Sequence, residues 1–216
     1  MSFGGLAGAL VTGAAVGVGH AVEADHVAAV ATLIDDDTDR AGLVGASWGV
    51  GHAVPITLLG LALVALGIRL PAAVTTAVEA LVGFLLVALG ARTLWRSRRA
   101  GHDHAGGSHG HLRLGGVSLG AAHAHPLRGE SLAVGVLHGV AGSGALVVLL
   151  VSTAASVGNA LAFLAGFALL SVGTMAAVSF AWGEAVTAGR GVEALAGLAS
   201  IAVGIFLVVE QLGGVA

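Results

Sequence analysis

The sequence predicts an all-α, polytopic membrane protein of six transmembrane helices, arranged as a 3+3 inverted repeat around a His-rich cytoplasmic loop. Three observations predict it. The chain is 56% hydrophobic, has a mean hydropathy of +0.97 and carries only 10% charged residues, where an average soluble domain carries about a quarter. Apolar stretches long enough to cross about 30 Å of hydrocarbon lie near residues 5–34, 42–68, 72–95, 131–152, 157–181 and 191–210. The Arg residues alternate with those stretches in a way that fixes one side of the membrane.

The first stretch is too long for one straight crossing, so it is expected to run past the bilayer or to break near Gly17 and Gly19. The loops after the first, third and fifth stretches receive Arg40, Arg92, Arg96, Arg98, Arg99, Arg113, Arg128 and Arg190, and the other side receives only Arg69. Cytoplasmic loops are enriched in basic residues. These loops are therefore cytoplasmic and both termini face outward, in a multi-pass protein of the cell membrane. Asp35, Asp36, Asp37 and Asp39 read as a solvated turn, since acids enter that rule weakly.

The halves resemble each other. His20–His26 aligns with His138–Gly144, Val50-Gly51-His52-Ala53 with Val172-Gly173-Thr174-Met175, and Val78–Gly83 with Val192–Gly197, at offsets of 118, 122 and 114 residues. A three-span unit repeated in sequence inserts in opposite orientation, the plan of many secondary transporters with a midplane site between repeats. The expected organisation is a first repeat over 1–95, a cytoplasmic loop over 96–130 and a second repeat over 131–216. In the second half, His138, Ser143 and Thr174 stand where the first half has its ionisable residues.

Composition excludes several classes. There is no Cys, hence no disulfide framework and no thiolate site. All nine basic residues are Arg, and a Walker-type phosphate loop needs Lys, so ATP is not hydrolysed that way. The N-terminus lacks a basic n-region, so no cleaved signal peptide is expected. No enzyme, organic cofactor or nucleic-acid partner is expected; a membrane metalloenzyme is the open alternative, and the His-Glu-x-x-His spacing of a zinc hydrolase is absent.

The most informative segment is Gly19-His20-Ala21-Val22-Glu23-Ala24-Asp25-His26-Val27. Ionisable groups at membrane depth are costly and are functional by default. On a continuous helix His20, Glu23 and His26 fall at i, i+3 and i+6 along one side, with Asp25 about 100° from His26. Two imidazoles and one or two carboxylates make a partial shell for a divalent transition metal; a proton relay through the same residues is the competing reading. His52, between Gly51 and Pro55, and His138, in a Gly-rich run, come to similar depth on other spans, counting about 1.5 Å per residue. Each is either a further ligand or a buried His bonded to a neighbouring helix. Glu79 and Glu193, near span starts, read as dipole-favoured acids, and Glu184 and Glu210 as interfacial. In the central loop His102, His104, His109, His111, His123 and His125 form His-x-His pairs, a compositional metal-binding signal that would buffer ions beside the main site.

His20-Ala21-Val22-Glu23-Ala24-Asp25-His26-Val27 resembles the signature helix of the nickel/cobalt transporter family, His-Ala-x-Asp-Ala-Asp-His-Ile, with Glu23 for Asp and Val27 for Ile. Trp48-Gly49-Val50-Gly51-His52-Ala53 is similar to that family's second motif, which ends in Leu-Gly-His-Ser. Ser171-Val172-Gly173-Thr174-Met175 is a fainter likeness of its late Gly-Phe-Asp-Thr-Ala-Thr-Glu motif, without the acids. Those permeases usually have eight spans; this chain looks closer to the compact branch that includes urease-accessory and hydrogenase-accessory membrane proteins. The resemblance implies Ni²⁺ or Co²⁺ as transported substrate, held by His20, Glu23, Asp25 and His26 with His52 nearby. The expected function is uptake of that ion. The alternatives are efflux, or a non-transporting membrane factor for urease or hydrogenase metal insertion. A metallochaperone or a second copy of the chain are the partners such roles would use, besides the ion and the bilayer.

Overall fold

The structure is a computed structural model that describes residues 5–34, 40–66, 72–99, 112–114, 117–119, 129–141, 151, 154, 156–186 and 190–213. The described helices are α1 (Gly5–Ala21), α2 (Ala24–Leu33), α3 (Ala41–Leu66), α4 (Ala72–Arg99), α5 (Gly129–Ala141), α6 (Val157–Val186) and α7 (Arg190–Gly213). Runs of Ala and Leu favour helix, and in hydrocarbon a helix is the one open element that satisfies its own backbone.

Among the described residues, α3, α4, α6 and α7 are long and apolar enough to cross a membrane, and α1 with α2 makes a fifth span if the bent pair counts as one. Six spans are expected from the sequence; the described residues give four, or five with the bent pair. The stretch at 131–152 is described as helix over Gly129–Ala141, and residues 142–150 lie outside the described residues. The anticipated break in the first span is present but displaced. It falls at Val22–Glu23, between α1 and α2, which are bent by 61°. Gly17 stays helical because α6 packs there, so closely that a Cβ would meet the Phe167 backbone. Within the loop, β1 (Leu112–Leu114) and β2 (Val117–Leu119) pair antiparallel, Arg113 opposite Ser118. That hairpin departs from the all-α expectation. The six loop histidines, Ser143, and Asp35, Asp36, Asp37 and Asp39 lie outside the described residues.

Packing sets α4 against α7, α1 against α6, and α3 against both α5 and α6. Small residues bring these backbones together: Gly83 faces Gly204 and Gly90 faces Gly197. Hydroxyls tie helices across the same seams. Ser131 Oγ donates to the Val44 carbonyl at 2.6 Å and Ser200 Oγ to the Leu86 carbonyl at 2.8 Å. Arg92 of α4 pairs with Glu130 at the start of α5. The core collects Val30, Val44, Trp48, Leu86 and Met175 around α2–α4, and Ile56, Phe163 and Phe167 around α6. Large apolar side chains turn outward instead, among them Leu58, Phe84, Leu169, Leu195 and Phe206. So much exposed aliphatic and aromatic surface fits a lipid-facing perimeter.

Candidate metal centre

The break between α1 and α2 builds the site. On a continuous helix His20 and His26 would point about 120° apart and sit about 9 Å apart along the axis, so one ion could not reach both. Instead the amides of Val22 and Glu23 bond to the carbonyls of Gly19 and His20, closing a tight turn. Glu23 then adopts an extended backbone (φ −60°, ψ 148°) and its carbonyl accepts from Val27 to open α2. The two imidazoles end up with ring centroids 4.4 Å apart. The single-helix reading of this motif is thereby corrected: its ligand-type residues straddle a discontinuity.

The structure brings together all six residues singled out in the spans. His20 Nε2 lies 2.9 Å from His52 Nε2, and His26 Nε2 lies 3.2 Å from the same atom. His26 Nδ1 donates to Asp25 Oδ1 at 2.9 Å, and His138 Nε2 to Asp25 Oδ2 at 3.1 Å. Glu23 Oε2 is 3.2 Å from His20 Nδ1 and 3.7 Å from His26 Nδ1. His26, His52 and His138 are 0% exposed and His20 4%. Thr174, the fainter candidate on α6, is half-buried.

Chemistry favours a cation at the centre. A neutral imidazole carries one proton. His20 and His26 each turn Nδ1 to a carboxylate, which places the proton there and leaves lone pairs on both Nε2 atoms, aimed at His52 Nε2. One proton on His52 can serve only one of them. A metal bonded at about 2.0–2.1 Å would hold neighbouring nitrogens about 2.9 Å apart at right angles and about 3.4 Å apart in a tetrahedron, the range the cluster already spans. Carboxylates on the outer ring nitrogens are the usual orienters of metal-bound His. Three neutral imidazoles, two carboxylates and a dication also sum to zero charge, which suits burial in lipid. Asp25→Asn keeps the volume and removes the charge. It is expected to weaken Ni²⁺ binding by about 10–100-fold, as read by calorimetry on the purified chain.

Aromatic rings wall the cluster. Trp48 stacks on His52 (4.8 Å, 11° between planes) and meets His26 edge-on, while Phe167 lies 5.3 Å from His20. Close seams hold the histidines: a Cβ on Gly135 would meet Trp48, and one on Gly139 would meet the backbone of His52. Among the described residues, Nδ1 of both His52 and His138 has no hydrogen-bond partner.

A cavity of about 280 Å³ adjoins the cluster, lined by Glu23, Asp25, Glu79, Glu210, Gln211, Val82 and Leu207. Sequence reasoning set Glu79 and Glu210 aside as helix-end acids; their meeting is a product of the α4–α7 seam, and no local motif announces it. Trp48, noted only as a neighbour of His52, is fully buried and stacks on that imidazole.

No family model matches the chain, and no solved structure matches it. Over 154 residues the chain is 32% identical to the urease accessory protein UreH of Bacillus sp. (strain TB-90), an alignment covering 67% of this chain and 62% of that protein. The chain thus spans less than two thirds of the relative it matches, and what the match establishes is similarity, over most of its own length, to a urease accessory protein.

Proposed function

We propose that the protein moves Ni²⁺ or Co²⁺ across the cell membrane, inward, through the His20–His26–His52 centre and its carboxylates. The single observation that carries this reading is the convergence of imidazole nitrogens from α1, α2 and α3 on one buried point. Imidazole with carboxylate suits nickel, cobalt, copper and zinc; the resemblance to the nickel/cobalt transporter family narrows that set. Inward direction is supported by the cavity. Glu79 and Glu210 lie toward the Arg-poor ends of α4 and α7, the outer side by the Arg distribution, and the cavity they line leads to Asp25.

A six-span, inverted-repeat architecture is part of this reading, with both termini outside. Its support is an exchange of contacts between halves. Gly83 facing Gly204 and Gly90 facing Gly197 swap under an offset of 114. Likewise Gly17 against Phe167 swaps with Gly135 against Trp48 under offsets of 118 and 119. In that register Ser171, not Thr174, is the counterpart of His52.

The test is ⁶³Ni²⁺ and ⁵⁷Co²⁺ flux into proteoliposomes holding only this chain, competed with Zn²⁺ and Mn²⁺. Saturable uptake of nickel or cobalt is expected; no flux above empty liposomes sinks the transporter reading. Glu79→Gln with Glu210→Gln should raise KM several-fold with kcat unchanged, an effect that fades in high salt because focusing of a cation by acidic walls is screened. The similarity to a urease accessory protein favours one second reading, a membrane factor that hands metal to urease maturation without moving it. That reading expects Ni²⁺ binding without flux in the same liposomes.

A further inference from the structure

We propose that the cluster offers one dication two positions that share His26, one on each ring nitrogen, and that only the outer one opens on the cavity. This deepens the transport reading and rests on it. The inner position is bounded by Nε2 of His20, His26 and His52. The outer position is bounded by His26 Nδ1, the Asp25 carboxylate and His138 Nε2, with Glu23 Oε2 3.7 Å from the same Nδ1. Asp25 bridges the outer nitrogens with one oxygen each.

The cavity distinguishes the two. Asp25 and Glu23 line it, and among the described residues no imidazole does. An ion arriving there meets oxygen donors first, which a hydrated hard-to-borderline cation exchanges for water readily. It then gains His138 and the Nδ1 face of His26, and only afterwards the all-nitrogen position, which Trp48 and Phe167 screen. Dehydration is thereby divided into stages.

The two positions exclude each other. An ion on His26 Nε2 keeps the ring proton on Nδ1, where Asp25 accepts it. An ion on Nδ1 requires the proton on Nε2, facing His52. Two dications about 6 Å apart across one imidazole, at metal–nitrogen bonds of about 2.0–2.1 Å, would also repel strongly. One ion per chain with two ligand environments is the consequence.

The experiment compares wild type, His138→Ala, His52→Ala and the pair His52→Ala/Asp25→Asn, as full chains in detergent. Ni²⁺ is added alone; affinity and stoichiometry come from calorimetry, loading rate from stopped flow, and the imidazole count from nickel K-edge absorption. Wild type should bind one Ni²⁺. His138→Ala should lose less than about 3-fold in affinity, keep the imidazole-rich shell and load about 10-fold more slowly. His52→Ala should still bind one Ni²⁺, at least about 10-fold more weakly and with more oxygen in its shell, and adding Asp25→Asn should abolish that residue of binding; these factors follow the range for losing a ligand or its orienter. His52→Gln, with its melting temperature, checks folding and should match His52→Ala. Equal losses and identical shells in His52→Ala and His138→Ala would mean one indivisible site and overturn the division. So would absence of binding in folded His52→Ala and His52→Gln. A wild-type chain that binds as expected but gives no liposome flux overturns the transport reading and leaves the two positions standing.

Discussion

His26→Ala is expected to abolish Ni²⁺ accumulation, with uptake falling by more than about 100-fold, since removing even an outer partner of a metal ligand costs about 10–100-fold. No other residue in the cluster touches as many of its members. Its Nε2 faces His52 at 3.2 Å, its Nδ1 donates to Asp25 at 2.9 Å, and its ring lies within 5.3 Å of Trp48 and 4.8 Å of His138. Losing it removes a nitrogen from both three-residue groups at once and leaves Asp25 with half its partners. The fold is expected to survive. Ala is the best helix former, α2 keeps its other buried contacts through Ala28, Ala29 and Val30, and a buried truncation of this size costs about 1–3 kcal/mol. ⁶³Ni²⁺ uptake in vesicles, normalised to folded protein by a thermal melt, reads the outcome; His26→Gln, closer in volume, separates loss of ligand from loss of packing. Uptake at the wild-type level in either variant would place the ion's route elsewhere.

Much of the helical frame is legible in the sequence because hydrocarbon thickness imposes it. The apolar stretches at 42–68, 72–95, 157–181 and 191–210 start within a residue of α3, α4, α6 and α7 and differ by a few residues at their C-terminal ends, the Arg cluster Arg92–Arg99 continuing α4 as helix into its polar flank. The expectation that His52 and His138 come to one level rests only on span boundaries and about 1.5 Å per residue, and their rings lie 5.4 Å apart. What was not legible is rotation and breakage. Neither Gly nor Pro stands at Val22–Glu23, so nothing local announces the 61° bend. Conversely Pro55 sits inside an uninterrupted α3, where neighbouring groups can satisfy the freed backbone. Glu79 and Glu210 meet only because Gly83 and Gly90 let α7 close on α4, a tertiary event that no single-helix pattern encodes.

Gly139→Val is expected to disable the centre as thoroughly as loss of a ligand, although Gly139 carries no ligand atom. A Cβ at this position would collide with the carbonyl of His52 and lie 2.9 Å from its Cα. Those are backbone atoms in the middle of α3, which cannot rotate aside as a side chain does. The seam must therefore open, and α5 carries His138 away as α3 carries His52. Overpacking of this kind costs about 1–3 kcal/mol, which a protein of ordinary stability survives. The site is less tolerant. Nitrogens 2.9 and 3.2 Å apart already match a metal's shell, and a displacement of about 1 Å spoils positioning by about 100-fold. Gly139→Val should thus retain a cooperative melt, lowered by several degrees, while Ni²⁺ binding falls by about 100-fold. Gly19→Ala is the contrast: among the described residues no atom lies within 4 Å of a Cβ there, so binding and melting should stay near wild type despite its position beside His20. If Gly139→Val bound Ni²⁺ as wild type does, His52 and His138 would not depend on the α3–α5 seam, and the centre would have to be rebuilt from α1 and α2 alone.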